Sequence, residues 1–166
     1  DSESLDPKMA KQFHSTTARI IYVTNRPRSS CKVTCQFLCG RVKAPTEEDE
    51  RKLVKLLSFL WRTKQEKYLF GRGSGDNHLR HYADGAFAVH LDGKSQGGLV
   101  VEYGGSVINA DSGKHKICTK DSTESEGVTV SNYVPRMEWF GDFLTGQGEV
   151  IAVSYTHLTL PTISSV

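Results

Sequence analysis

No run of apolar residues in the chain reaches the roughly 18 that a bilayer-spanning helix requires, so the sequence excludes a helical membrane protein. The first eleven residues, Asp1 to Lys11, are polar and contain no apolar stretch followed by small residues. No secretory leader is expected there, and residence inside the cell, in cytoplasm or nucleus, is the expectation. Cysteine is sparse, at four residues, and a reducing compartment keeps such residues as thiols rather than as a disulfide framework. Basic residues are nearly missing from one end: residues 121–166 hold one Lys or Arg against six Asp or Glu, whereas residues 1–120 hold 20 against 13. A body of charge +7 therefore precedes a tail of charge −5. A basic body favours a polyphosphate partner through counterion release, but Lys and Arg faces are ordinary on soluble proteins, and the pattern needs a motif beside it.

What is present, over 166 residues with 37% hydrophobic and 24% charged side chains, has the composition of a globular chain of one domain, or one domain with part of a second. From Lys11 to Thr24, Phe13, Ile20, Ile21 and Val23 form a partial helical stripe that stops before Arg26-Pro27-Arg28-Ser29-Ser30. From Cys31 to Val42 the spacing is again helical, with Cys31, Cys35 and Cys39 on one face. Structural zinc takes four ligands, typically from short Cys-x-x-Cys hooks, so these cysteines read as small buried hydrophobes. The third helix has the strongest start signal: Pro45 and Thr46 precede Glu47, Glu48 and Asp49, an acidic first turn that suits the helix dipole, with Thr46 as N-cap. Leu53, Leu56, Leu57, Leu60 and Trp61 form its apolar stripe, and Arg51, Lys52, Lys55 and Arg62 face away.

Periodicity lapses from Thr63 to Asn77. The run Gly71-Arg72-Gly73-Ser74-Gly75 has neither the Lys-Ser or Lys-Thr nor the following helix of a phosphate loop, so it reads as a linker. Short strands follow, over His78–Val89, Leu99–Tyr103 and Val107–Ala110, separated by Asp92-Gly93 and Gly104-Gly105 as turns. Asp121-Ser122-Thr123-Glu124 predicts a helix start, with an interruption at Pro135 and an end at Leu144, before a last strand over Val150–Tyr155. The fold class is α+β: an N-terminal helical segment, then a three-stranded antiparallel meander, a helix and one further strand.

Asp84 lies inside the first strand, among residues that otherwise suit a core, and a buried carboxylate is costly unless it has a partner. A second carboxylate beside it would make a hard oxygen site suited to Mg2+. Glu124 and Glu126 are the candidates, and helical spacing lets only one of them point at the sheet; capping of the helix dipole is the competing explanation for the pair.

These residues resemble, in order along most of the chain, the reverse transcriptase and ribonuclease H region of copia-type retrotransposon Pol polyproteins. Phe13-His14-Ser15-Thr16 with Ile20-Ile21-Tyr22, then Phe37-Leu38-Cys39 and Arg41 through Asp49, resemble the stretch that closes the polymerase and leads into the nuclease. Tyr82 through His90, Asp92-Gly93-Lys94-Ser95, Gly98, Gly104-Gly105 and Lys120 through Glu126 resemble the first half of the nuclease domain. The resemblance implies a helical end of the reverse transcriptase over 1–70, a linker over 71–77 and a partial ribonuclease H-like domain over 78–166. It places Asp84 on the first metal-binding aspartate and Glu126 on the helix glutamate, as catalytic and Mg2+-binding residues. The implied activity is cleavage of RNA in RNA–DNA hybrids by two metal ions about 4 Å apart. The implied partners are an RNA–DNA hybrid and the rest of the Pol polyprotein.

That chemistry takes four acids. Where the family has Tyr-x-Asp-Asn this chain has Tyr155-Thr156-His157-Leu158, and a neutral histidine suits zinc better than magnesium. The fourth acid falls beyond the 166 residues. Gly127, Asp121, Lys32 and Gln36 also depart from the family pattern, and Val153 through Thr162 resembles translated cloning-adaptor sequence, which makes 151–166 a candidate non-native tail. No Tyr-x-Asp-Asp motif is present, so no polymerase activity is expected. The expectation is a fragment inactive as a nuclease. Two alternatives stand beside it: a non-catalytic module that grips nucleic acid through Lys94, Ser95, Lys114, Lys116 and Lys120, and a remnant without function.

Overall fold

The computed structural model describes residues 2–67 and 77–157, which form two compact units, one helical and one built on a β-sheet. Most of the linker expected at 71–77, and the tail beyond His157, lie outside the described residues.

In the helical unit, α1 spans Pro7–Thr24, a short 3-10 turn spans Ser29–Cys31, α2 spans Lys32–Cys39 and α3 spans Glu47–Arg62. Helix α1 begins before the apolar stripe does, because Asp6 caps it. Its Oδ1 accepts from the Lys8 and Met9 amides at 2.8 and 3.1 Å, and Pro7 occupies the first turn, where no amide donor is needed. Helix α3 starts with the expected Thr46 cap, closed into a reciprocal box. The Asp49 amide donates to Thr46 Oγ1 at 3.4 Å and the Thr46 amide donates to Asp49 Oδ2 at 3.0 Å. Asp49 is buried, and Arg41 Nε donates to both its oxygens at 3.3 Å, which meets the cost of that burial.

Phe13, Ile20, Cys31, Cys35, Leu38, Leu53 and Leu56 make the core of this unit. Cys31 and Cys35 are thus interior hydrophobes, with Cys39 partly buried against them. The α3 stripe is narrower than its sequence suggests: Leu57 and Trp61 are exposed, and the Lys64 ammonium sits over the Trp61 ring at 3.8 Å.

In the sheet unit, β1 (His78–Ala86), β2 (Gln96–Tyr103) and β3 (Ser106–Lys114) precede α4 (Ser122–Gly146) and β4 (Ala152–His157). The strand order is β3-β2-β1-β4. β1 pairs antiparallel with β2, Leu79 opposite Tyr103 through Ala86 opposite Gln96. It pairs parallel with β4, His78 beside Ala152 through Ala83 beside His157. Gly104 and Gly105, at φ +59° and +74°, form the two-residue turn between β2 and β3, which needs positive φ at both positions. Helix α4 is the crossover between β3 and β4.

Several boundaries move from their sequence positions. β1 ends at Ala86 rather than Val89, since Ala88 turns into the left-handed region at φ +50°. β2 begins at Gln96, so that Gly97 and Gly98 lie within the ladder, and β3 runs on to Lys114. The interruption expected at Pro135 does not occur: α4 is continuous to Gly146, with Tyr133 and Met137 anchored on either side of the proline. The core of this unit is Leu79, Ala83, Leu99, Val101, Tyr133 and Met137. The described residues thus form an α+β arrangement of four α-helices and a four-stranded mixed sheet. No helix among them is long and apolar enough to cross a membrane.

Candidate functional site

Along β1 burial alternates. Leu79, His81, Ala83 and Gly85 are buried on the face that meets α4, whereas Arg80, Tyr82 and Asp84 are half-buried on the other face. Asp84 therefore does not lie in the core that its neighbours suggested. Its Oδ1 accepts the Gly85 amide at 3.0 Å, and its cross-strand partner Gly98 has no side chain to stand beside it. Farther along the same face, Arg80 and Tyr82 both donate to the Glu102 carboxylate, each at 3.4 Å.

Glu124 and Glu126 separate into two roles. Glu124 Oε2 accepts the Lys120 amide at 2.6 Å, while the Glu124 amide donates to the N-cap Asp121 at 2.8 Å. Glu124 is thus a capping residue, and Glu126 is the half-buried acid of the pair. The backbones that carry Asp84 and Glu126 touch one residue away from each acid. A Cβ at Gly85 would stand 2.9 Å from the Ser125 carbonyl oxygen and 2.6 Å from Thr129 Oγ1. A Cβ at Gly97 would stand 3.0 Å from Thr129 Oγ1 and from His115 Nε2. These two glycines allow the first turns of α4 to settle on the sheet beside Asp84.

β4 brings its last residue to the same place. His157, at the third-acid position of the resemblance, lies in register with Ala83, next to Asp84 in β1. Among the described residues no group of three or more His, Cys, Asp or Glu side chains assembles to hold a metal. Asp84 stands on the face of β1 opposite α4 whereas Glu126 stands on α4 itself, and two acids do not fit two-metal chemistry.

The basic residues singled out from the sequence lie on two loops, 87–95 and 115–121, and on the adjoining end of β3. These segments share the end of the sheet where β1 finishes and α4 begins. Contacts lace the loops together: Lys114 Nζ lies 2.7 Å from Asp92 Oδ2, the His115 amide donates to the Ser95 carbonyl at 2.8 Å, and Cys118 Sγ donates to the Asp92 carbonyl at 3.6 Å. Lys114, Lys116 and Lys120 are exposed and Lys94 is half-buried. The Lys114 ammonium holds the Asp92 carboxyl below the usual carboxylate range. Ser95 takes no part in this surface. It is fully buried, its hydroxyl accepting the Ala88 amide at 3.1 Å and lying 3.0 Å from Thr119 Oγ1. It ties the two loops together.

Two buried histidines beneath the site were not singled out in the sequence. His115 Nε2 lies 2.9 Å from Thr129 Oγ1, and burial lowers its pKa. Burial likewise lowers the pKa of His81, opposed by the Ser154 backbone. Neither position shows in composition or spacing. Gly85 and Gly97, by contrast, are glycines inside strands, a sequence signal for close backbone approach. No family model matches this chain, and neither a curated protein nor a solved structure does.

Proposed function

We propose that this chain is part of a copia-type retrotransposon Pol polyprotein, its sheet unit the front half of a ribonuclease H-like domain that grips an RNA–DNA hybrid without cutting it. The observation that carries this reading is the grouping at one end of the sheet. β1 finishes there just beyond Asp84, α4 begins there with Glu126 near its start, and the loops bearing Lys94, Lys114, Lys116 and Lys120 lie at the same end, while β4, parallel to β1, ends at His157 in register with Ala83. Two acids and a histidine position favour binding over catalysis, since a neutral imidazole supplies neither the charge nor the hard oxygen of the missing aspartate.

The test is a hybrid assay in Mg2+ with the chain as it stands. The expected result is binding that weakens steeply as salt rises, because phosphate contacts release counterions, with the hybrid left intact. Lys116→Glu combined with Lys120→Glu should weaken binding at low salt. Metal-dependent cutting that disappears in Asp84→Asn would overturn the inactive reading. Binding insensitive to both salt and the lysine changes would overturn the hybrid-binding one. A remnant without function remains the second reading, motivated by the departures from the family acids, and a cooperative thermal unfolding transition counts against it.

A further inference from the structure

Helix α2 carries Cys35 and Cys39 one turn apart, so their side chains rise from the same face with Cβ atoms about 5–6 Å from each other. The Cys39 thiol donates a hydrogen bond to the Cys35 sulfur, and the Thr24 hydroxyl and the Lys32 ammonium bear on that sulfur as well. Cys35 is 1% exposed and belongs to the same core as Phe13, Ile20 and Leu38. Cys39 is half-buried at the margin of that core, so one member of the pair is open to solvent while the other is sealed. Cys31, in the 3-10 turn before α2, turns its sulfur to Ser30 Oγ, 3.9 Å away. The helix thus presents two thiols to each other at the edge of an apolar interior.

We propose that Cys35 and Cys39 form a two-coordinate site for a soft monovalent metal ion, Cu(I). Two thiolates alone are a donor set that few ions accept. Structural Zn2+ takes four ligands, and among the described residues no group of three or more His, Cys, Asp or Glu side chains assembles. Mg2+ and Ca2+ take oxygen ligands. Cu(I) is selected by thiolates and is satisfied by two of them in a line. With metal–thiolate bonds of about 2.3 Å such a line spans about 4.6 Å, which two side chains at this Cβ spacing can reach. Binding exchanges two S–H bonds for two Cu–S bonds: both thiol protons leave to solvent, no electron is transferred, and the complex carries one negative charge. The Lys32 ammonium, on the same helix, is the cation that faces it. The site goes beyond the nucleic-acid reading and does not depend on it, since none of its residues belongs to the sheet unit.

The probe is Cu(I) held by bicinchoninate, offered without oxygen to the reduced whole chain and followed by loss of the chelator's colour. Transfer of one Cu(I) per chain is expected, with X-ray absorption reporting two sulfur neighbours. Cys39→Ser, at the half-buried position, should weaken uptake at least about 100-fold while circular dichroism shows the metal-free chain still folded. Cys35→Ser should abolish uptake as well. Cys118→Ser, which removes the exposed thiol of the sheet unit, and Cys31→Ala should both leave uptake unchanged. Uptake that survives Cys39→Ser, uptake that disappears with Cys118→Ser or Cys31→Ala, three or more sulfur neighbours, or a folded chain that leaves all the copper with the chelator would each overturn the proposal.

Discussion

Gly85 and Gly127 lie close together in the fold and are opposite in what a methyl group would do. At Gly85 the added Cβ meets the Ser125 carbonyl oxygen at 2.9 Å, a backbone atom that cannot swing aside. Gly85→Ala should therefore lower stability by about 1–3 kcal/mol, read as an earlier urea midpoint. At Gly127, in the second turn of α4, nothing lies within 4 Å, so Gly127→Ala should raise stability by about 0.5–1 kcal/mol through helix propensity alone. His115 makes a prediction in pH. The Thr129 hydroxyl donates to the Ser125 carbonyl at 2.9 Å, so its oxygen accepts from His115 Nε2, and a second proton must go on Nδ1, which is buried without a partner. That accounts for a folded pKa held below the unfolded value of about 6.5. The unfolded chain then binds the proton more readily. Stability is at its full value above about pH 6.5 and falls as pH drops through the window down to the folded pKa. His115→Gln, which keeps a donor for Thr129, should flatten the fall in urea midpoint between neutral pH and pH 5. His81, shifted in the same direction, accounts for the slope that remains.

Among the elements, α4 carries its own destabilising residue. Pro135 cannot donate to the Ser131 carbonyl, and a proline inside a helix costs about 3 kcal/mol relative to alanine. Because its side chain is exposed, Pro135→Ala should raise the thermal midpoint, by an amount corresponding to about 1–3 kcal/mol. The helix survives the proline because Ser125, Thr129, Tyr133 and Met137 form one buried row along it, and packing outweighs the local preference. This is why the break expected at Pro135 is absent while the helix start at Asp121 was legible. Caps are made by residues three or four apart, so Thr46 with Asp49 and Asp121 with Glu124 can be read from the chain directly. Strand faces are less local. Asp84 resembled a core residue because Ala83, Gly85 and Ala86 surround it, and only the alternation anchored by Leu79, His81 and Ala83 against α4 turns it outward. The extent of β2 was hidden by Gly97 and Gly98, poor strand formers whose smallness is used by a helix far away in sequence. The burial of Ser95 depends on Thr119, across two loops, and no spacing within either loop announces it.

For the whole molecule, the two hydrophobic clusters share no residue: Leu38 and Phe13 belong to one, Leu99 and Leu79 to the other. Leu38→Ala and Leu99→Ala each remove a side chain that is at most 1% exposed, and each should cost about 2–5 kcal/mol. In a calorimetric scan each change should displace a different part of the unfolding profile, and a single peak moved equally by both would refute the separation. The parallel pairing of β1 with β4 also sets an order of events. The β2–β3 turn closes two residues and β1 meets β2 across a short loop, whereas β4 reaches β1 only after β3 and all of α4 have been laid down. Loop closure of that length is slow, so the three-stranded meander forms first and waits. During that wait the outer edge of β1, from His78 to Ala83, shows unpaired backbone donors and acceptors to any passing strand. The strand that bears Asp84 is then also open to aggregation while the chain folds, and β4, by docking, acts as its guard.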